Sequence, residues 1–203
     1  MSTDVYRPAH FRLKLSGGFL LLLALIWFFD SGGFLPPLAA AVCAHECGHI
    51  AALFAFGARP ARLRASLSGF ELDYRGYLNA AQTALAALAG PAAGAAFAAV
   101  CLFAGRKTGG SFPFTCAGIS VVLTLFNLLP VSPLDGGICA EFVLCHLFSA
   151  DFARYTLSAL AAAVLFLLLA GGLYCLLSGD GPALFLAGVW LFALRRNRTC
   201  NRL

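Results

Sequence analysis

The chain has 203 residues and a formal net charge of +5; 61% of its residues are hydrophobic and 11% are charged. A soluble globular domain carries about 25% charged residues, so this composition excludes an ordinary soluble domain and indicates an integral membrane protein. A helix of roughly 20 apolar residues crosses a bilayer. We therefore expect an all-α polytopic membrane protein, a single domain over residues 1–203 with about six transmembrane helices.

The expected spans follow one another with short polar connections. They are residues 15–29, 35–56, 78–104, 112–129, 155–177 and 182–194. If the N-terminus is cytoplasmic, every Lys and Arg except Arg106 and Lys107 lies on the cytoplasmic side. The positive-inside rule therefore predicts that both termini are cytoplasmic, in what we expect to be a bacterial cytoplasmic membrane. Because this topology explains the positive charge, nucleic acid is not an expected partner.

The second span carries HECGH, which places three ionisable groups within five residues of an apolar helix. His45 and His49 lie about 40° apart on one helix face, which suits two ligands of a tetrahedral zinc ion. An ionisable group at mid-bilayer costs at least about 2.5–3.5 kcal/mol. Three such groups within five residues need a partner, so the motif favours a metal site over histidines that are merely buried in the core. Glu46 is adjacent on the helical wheel, whereas Cys43 and Cys47 fall on the opposite face.

The polar stretch after this span predicts a membrane-associated β-hairpin over residues 58–76, with an ordinary polar loop as the alternative. Residues 62–67 and 70–75 alternate between apolar and polar side chains, and Ser68-Gly69 fits a two-residue turn. We expect the apolar face of the hairpin to lie on the cytoplasmic membrane surface. The expected cross-strand pairs are Leu67 with Phe70, Ala65 with Leu72, Leu63 with Tyr74, Ser66 with Glu71 and Arg64 with Asp73.

The later spans contain two interruptions of the helix pattern. Gly90-Pro91 lies within the third span, where proline leaves a backbone carbonyl without its helical donor. NLLPVSPLDGG, residues 127–137, ends the fourth span. Its prolines and glycines predict a broken fourth helix, with the break at 130–133 and a second helical piece from Leu134.

The broken element supplies the leading candidate for a third zinc ligand. A catalytic zinc usually has three protein ligands and one open position. Asp135 is the only acidic residue in the broken element, and helix N-cap is its alternative role. Glu141 and Asp151 are weaker candidates because they lie further along the chain.

Taken together and in this order, HECGH, the Ala-Gly-Pro of residues 89–91 and NLLPVSPLDGG resemble the motifs of the site-2 protease family of intramembrane zinc metalloproteases. The resemblance covers residues 1 to about 195 and implies a transmembrane helical core that holds zinc within the membrane. The residue roles that it implies are zinc ligation by His45, His49 and Asp135, general-base catalysis by Glu46, and a hydrogen bond from Asn127 to substrate or oxyanion.

The implied activity is regulated intramembrane proteolysis, in which a zinc metalloendopeptidase cuts peptide bonds in or near transmembrane segments. A substrate helix that unwinds gives up backbone hydrogen bonds, and pairing with the free edge of the hairpin would replace them. The candidate positions are Phe70, Leu72 and Tyr74, and residues 63, 65 and 67 are the alternative if the other strand is the free edge. The expected partners are a transmembrane or membrane-associated protein substrate and the lipid bilayer, with a regulatory membrane partner left open. The alternatives are a membrane metal transporter or metal-binding protein, and a catalytically inactive scaffold of the same fold.

The sequence departs from the family pattern in two respects. Many members have asparagine three residues after the Gly-Pro of the third span, where this chain has Gly94. A substrate or packing contact of that asparagine is therefore not expected here. The small size and about six spans are most similar to the branch that processes sporulation pro-sigma factors, although the C-terminal CBS-like domain of that branch is not expected here.

Overall fold

The computed structural model describes residues 12–30, 32–66, 69–179 and 181–200, and these residues form seven helices and a small three-stranded sheet. The chain is mostly helical, as expected, and the sheet is inserted between the second and third helices. In chain order the elements are β1 (Arg12–Leu15), α1 (Gly17–Phe29), α2 (Leu35–Ala55), β2 (Arg59–Ser66), β3 (Gly69–Arg75), α3 (Ala80–Thr108), α4 (Ser111–Asn127), α5 (Asp135–Leu147), α6 (Ala150–Ser178) and α7 (Ala183–Cys200).

Three of the described helices, α2, α3 and α6, are long and apolar enough to cross a membrane. Helix α4 and the apolar part of α7, Ala183–Arg195, are shorter, and α1 and α5 have 13 residues each. The membrane character expected from the composition is confirmed. The expected count of six spans is not confirmed. Only three of the described helices reach the length that a bilayer requires without tilt or thinning.

Helix α3 lies at the centre of the helical body and packs against α2, α4 and α5. Small side chains on its buried face allow this close approach. Gly48 of α2 marks a close contact, since a Cβ there would overlap the carbonyl of Ala89 and the side chain of Ala93. The HECGH segment is therefore held directly against α3. The buried positions of α3 include Ala84, Ala87, Gly90, Gly94 and Ala98.

The break in the fourth span is confirmed. Helix α4 ends at Asn127, residues 128–134 are irregular, and α5 begins at Asp135. The two glycines that follow Asp135 are required here, because a Cβ on either Gly136 or Gly137 would collide with the backbone of the irregular segment. This close approach fixes the start of α5 beside the end of α4.

The irregular segment is also anchored from its other side. Val131 and Leu134 are buried and pack against residues of α6 and α7, among them Leu165 and Leu191. Helices α6 and α7 pack against each other as a hairpin. The last two helices therefore support the segment that presents Asp135.

The three strands have the order β1-β2-β3, with β2 parallel to β1 and antiparallel to β3. The hairpin is confirmed, but its expected register is wrong by two residues: Ser66 pairs with Gly69, and Ala65 pairs with Phe70. The connection thus falls at residues 67–68, outside the described residues. A slip of two keeps every side chain on its face, so alternation could not distinguish the two registers.

The observed register allows longer pairing than the expected one. Strand β2 begins at Arg59, which pairs with Arg75, and an irregularity lies between Pro60 and Arg62. The ion pair expected between Arg64 and Asp73 is replaced by one between Arg62 Nη1 and Asp73 Oδ2, at 3.9 Å. Both side chains are partly or largely exposed, so this pair contributes little to stability.

Candidate metal centre

The structure brings His45 and His49 of α2 together with Asp135 of α5. Asp135 Oδ2 lies 3.2 Å from Nε2 of His45 and 3.4 Å from Nε2 of His49. The two Nε2 atoms are 3.1 Å apart. Within the described part of the chain, these residues form a group whose ligand atoms all lie within 4.8 Å of one another, as a shared metal ion requires.

Asp135 is the first residue of α5, and its side chain is 14% exposed. The N-cap position belongs to Leu134, so the alternative role of Asp135 as an N-cap is excluded. A carboxylate in the first turn interacts favourably with the positive end of the helix dipole. The helix start therefore holds a negative charge pointing at the two histidines.

His49 is oriented by α3. Its Nδ1 lies 2.8 Å from the carbonyl oxygen of Ala86, and because a carbonyl only accepts, Nδ1 carries the proton. The lone pair of Nε2 is then directed towards Asp135. Gly90 leaves room for the ring, since a Cβ there would overlap it. The Ala-Gly-Pro motif thus contacts the ring of His49, a candidate ligand. Helix α3 is not broken at Pro91 and continues to Thr108.

The donor set fits zinc. Two imidazole nitrogens and one carboxylate oxygen are ligand types of catalytic zinc sites. Asp135 Oδ2 is buried and makes no hydrogen bond of good geometry, although both histidine nitrogens are near it. A buried carboxylate oxygen without a partner is costly, and a cation held by all three side chains would remove that cost.

The centre opens into a cavity of about 2000 Å³. Its walls come from α2, α3, α4, α5, α7 and β3, and Glu46, Asn127, Leu72 and Tyr74 line it together with the three candidate ligands. Asn127 is the last residue of α4, and its amide nitrogen donates to the carbonyl of Leu123 at 3.0 Å. A cavity of this size is larger than a typical small-molecule pocket.

The weaker candidates lie elsewhere. Glu141 is exposed on α5, and Asp151 is exposed and pairs with Arg154 at 3.4 Å. Cys43 and Cys47 are exposed on α2, whereas His45 is buried, so the cysteines face away from the centre as the helical wheel predicts.

The outer edge of β3 borders the same cavity. Ser16 N–H donates to the carbonyl of Ala65 at 2.9 Å, so that carbonyl points towards β1 and away from β3. The pair Ala65–Phe70 is therefore a non-hydrogen-bonded pair of the hairpin, and the backbone groups of Phe70 point outward. By alternation those of Leu72 and Tyr74 do the same, and no described strand pairs with this edge.

Two polar residues of α4 near the centre were not predicted from the sequence. Ser120 and Thr124 are buried, and both lie over Gly94 of α3. The signal that could have found them is two hydroxyl side chains four residues apart, on one face of an otherwise apolar span. Their relation to His45 depends on how α2, α3 and α4 pack, which the sequence pattern does not contain.

No protein-family model and no curated protein matches the chain. Among solved structures, the site-2 protease from Methanocaldococcus jannaschii matches with a TM-score of 0.69 and 19% sequence identity, over 95% of this chain and 93% of that one. Likeness at this identity establishes the fold, while the sporulation branch stays a prediction. The family resemblance of the three motifs is thus confirmed in the architecture: this chain has the fold of the site-2 proteases.

Proposed function

We propose that the chain is an intramembrane zinc metalloprotease that hydrolyses peptide bonds in or near transmembrane segments of membrane-associated substrates. The observation that carries the proposal is the convergence of His45, His49 and Asp135 beside Glu46, at the wall of a large cavity within an apolar helical body. The site-2 protease fold supports the same reading.

The side chains of the centre divide into ligands and a base. Zinc held by the three ligands would act as a Lewis acid towards a carbonyl and lower the pKa of water. Glu46 lines the cavity next to the ligands without belonging to the ligand group. In the proposed mechanism it accepts a proton from the attacking water and delivers it to the leaving amine.

The position of Glu46 also favours a protease over a metal transporter. A transporter has no use for a carboxylate beside the metal rather than on it. Transport also needs further ion sites along a path, and the described residues contain no second group of three metal-ligating side chains. The inactive scaffold is disfavoured because the three proposed ligands lie together and the proposed base, Glu46, lines the same cavity.

The outer edge of β3 is the proposed docking site for the substrate backbone. An unwound substrate segment needs partners for its N–H and C=O groups, because unpaired groups in lipid cost several kcal/mol each. Phe70, Leu72 and Tyr74 direct their backbone groups to the free edge beside the cavity, which suits strand addition. The positive-inside pattern predicts that this sheet lies on the cytoplasmic side of the membrane.

Asn127 is proposed to contact the substrate or the developing oxyanion. Its amide nitrogen is bonded to the preceding helical turn, which fixes the side chain at the cavity wall. An amide held in this way is a preorganised polar group of the kind that stabilises developing charge.

Metal analysis of the purified protein tests the proposal. Wild type is expected to hold about one zinc per chain, as a single three-ligand site implies. The double variant His45→Ala, His49→Ala should hold none while still inserting into the membrane. Full zinc content in the double variant would refute the site.

A further inference from the structure

The two histidines of the centre differ in how their outer ring nitrogens are held. Nδ1 of His49 donates to the carbonyl of Ala86, whereas Nδ1 of His45 is buried and has no hydrogen-bond partner. A second buried polar atom without a partner is Oγ1 of Thr124. The side chains are well enclosed, since His45 is 5% exposed and Thr124 is 8% exposed. Two buried polar atoms in one region are costly unless they are hydrogen-bonded, either to each other or through a water.

Both atoms border the same small space above Gly94. A Cβ placed on Gly94 would lie 2.6 Å from Thr124 Oγ1 and 3.9 Å from His45 Nδ1. The Ser120 hydroxyl is also nearby, but it donates to the carbonyl of Gly94 at 2.8 Å. The Thr124 hydroxyl makes no bond back to its own helix, which is the usual partner of a threonine within a helix.

We propose that Thr124 is a positioning residue for His45: its hydroxyl oxygen accepts a hydrogen bond from Nδ1–H of His45, and Gly94 leaves the space in which the two groups meet. A direct bond and a single bridging water both fulfil this role, and both need the hydroxyl and the open space. The contact fixes the tautomer whose Nε2 lone pair faces Asp135. Metal-ligating histidines generally donate their other N–H in this way. The inference rests on the proposed zinc site.

Zinc affinity of the full-length protein in detergent, measured by competition with chelators of graded strength, tests the inference without any substrate. Thr124→Val keeps the shape and removes the hydroxyl, and it is expected to weaken zinc binding about 10–100-fold. Thr124→Ser restores the hydroxyl and should retain the wild-type affinity. Thr124→Ala is a second variant without the hydroxyl, in case valine hinders folding.

Two further variants separate positioning from packing. Gly94→Ala should weaken zinc binding although the hydroxyl is still present. The added Cβ would lie only 2.6 Å from Oγ1 of Thr124, so the hydroxyl would have to move away. Ser120→Ala should keep the wild-type affinity. Thermal unfolding of the metal-free proteins should remain cooperative in every variant, which would show that a loss of zinc affinity does not come from a loss of the fold.

The outcomes distinguish this inference from the proposed function. Wild-type zinc affinity in both Thr124→Val and Thr124→Ala would overturn the positioning role and leave the zinc site standing. A loss in Ser120→Ala as large as that in Thr124→Val would overturn the assignment to Thr124. Failure of the wild type itself to bind zinc would refute the proposed function, and the positioning role with it.

Discussion

At the scale of single residues, the centre depends on side chains that are remote in sequence but adjacent in space. His45 and His49 come from α2, and Asp135 comes from the start of α5. Each ionisable group alone is costly in an apolar helical body, and a shared cation offsets these costs together. The three side chains should therefore act as one coupled unit, and substitutions among them should not be additive.

The charge of Asp135 is expected to be essential for metal retention. Asp135→Asn keeps the size of the side chain but removes the negative charge. Losing a residue that only hydrogen-bonds a metal ligand weakens metal binding about 10–100-fold, and the loss of zinc affinity in Asp135→Asn should be larger than that. Chelator competition measures it. Asp151→Asn is the matched control, because Asp151 is exposed and pairs with Arg154. Equal zinc retention in the two variants would contradict the assignment of Asp135.

The cysteines of α2 are expected to be dispensable. Cys43→Ala and Cys47→Ser should keep both the zinc content and the proteolytic activity, because the two thiols are exposed on the outer surface of the helix. Zinc per chain and cleavage rate check this. A Cys47→Ser protein depleted of zinc would show that the assignment of helix faces is wrong.

Most residues of the centre could be predicted from the sequence because the information is local. The spacing of His45 and His49 sets them on one helix face, and Asp135 is the acidic residue of the broken helix. The relation of Thr124 to His45 could not be predicted, because the two side chains come near each other only where α4 crosses α3 at Gly94.

At the scale of elements, the sheet has two different edges. Strand β1 covers one side of β2, and β3 leaves its outer side open towards the cavity. The carbonyl of Ala65 accepts a hydrogen bond from Ser16 N–H and therefore points towards β1. Because backbone groups alternate in direction along a strand, this one bond shows which residues of the hairpin point outward. The free edge therefore carries the outward groups of Phe70, Leu72 and Tyr74.

Proline on the outer edge of β3 is expected to reduce substrate processing strongly. Phe70→Pro, Leu72→Pro and Tyr74→Pro each remove an outward N–H while leaving the bonds to β2 in place. Alanine at the same positions should do less damage, because the lost group is backbone. Cleavage rate in zinc-loaded protein is the measurement.

The opposite edge of the sheet offers a control for these prolines. Ser16 N–H points to β2, so the N–H of Leu15 points away from the sheet on the β1 side. Leu15→Pro should therefore leave processing near the wild-type rate. If all three proline variants of β3 also cleave the substrate at the wild-type rate, the substrate must be held elsewhere.

The existence of the hairpin could be predicted, but not its register or its third strand. Alternation is unchanged by a slip of two residues, so it fixes the faces and leaves the pairing open. Strand β1 forms by pairing Arg12–Leu15 with residues 62–65, far along the chain. The four residues RLKL alternate as a strand does, but their neighbouring apolar run indicated the start of a span instead.

At the scale of the whole molecule, the fold buries a polar centre inside helices that are otherwise apolar. Helices α2 and α3 are long enough to cross a membrane and form one wall, and the α6–α7 hairpin supports the segment before Asp135 from the other side. The helical class and the break in the fourth span follow from hydropathy, proline and glycine. The span count does not, because α1, α4 and α5 are shorter than a bilayer requires.

The most direct test of the central claim compares wild type with Glu46→Gln in cells that naturally carry this chain. Membrane proteomics would identify protein fragments cut in or beside apolar segments, and metal analysis of the purified proteins would accompany it. The glutamine variant should hold zinc as the wild type does and lose such fragments, with turnover reduced about 10²–10⁴-fold or more. The same fragments in the same amounts from both proteins would contradict the account.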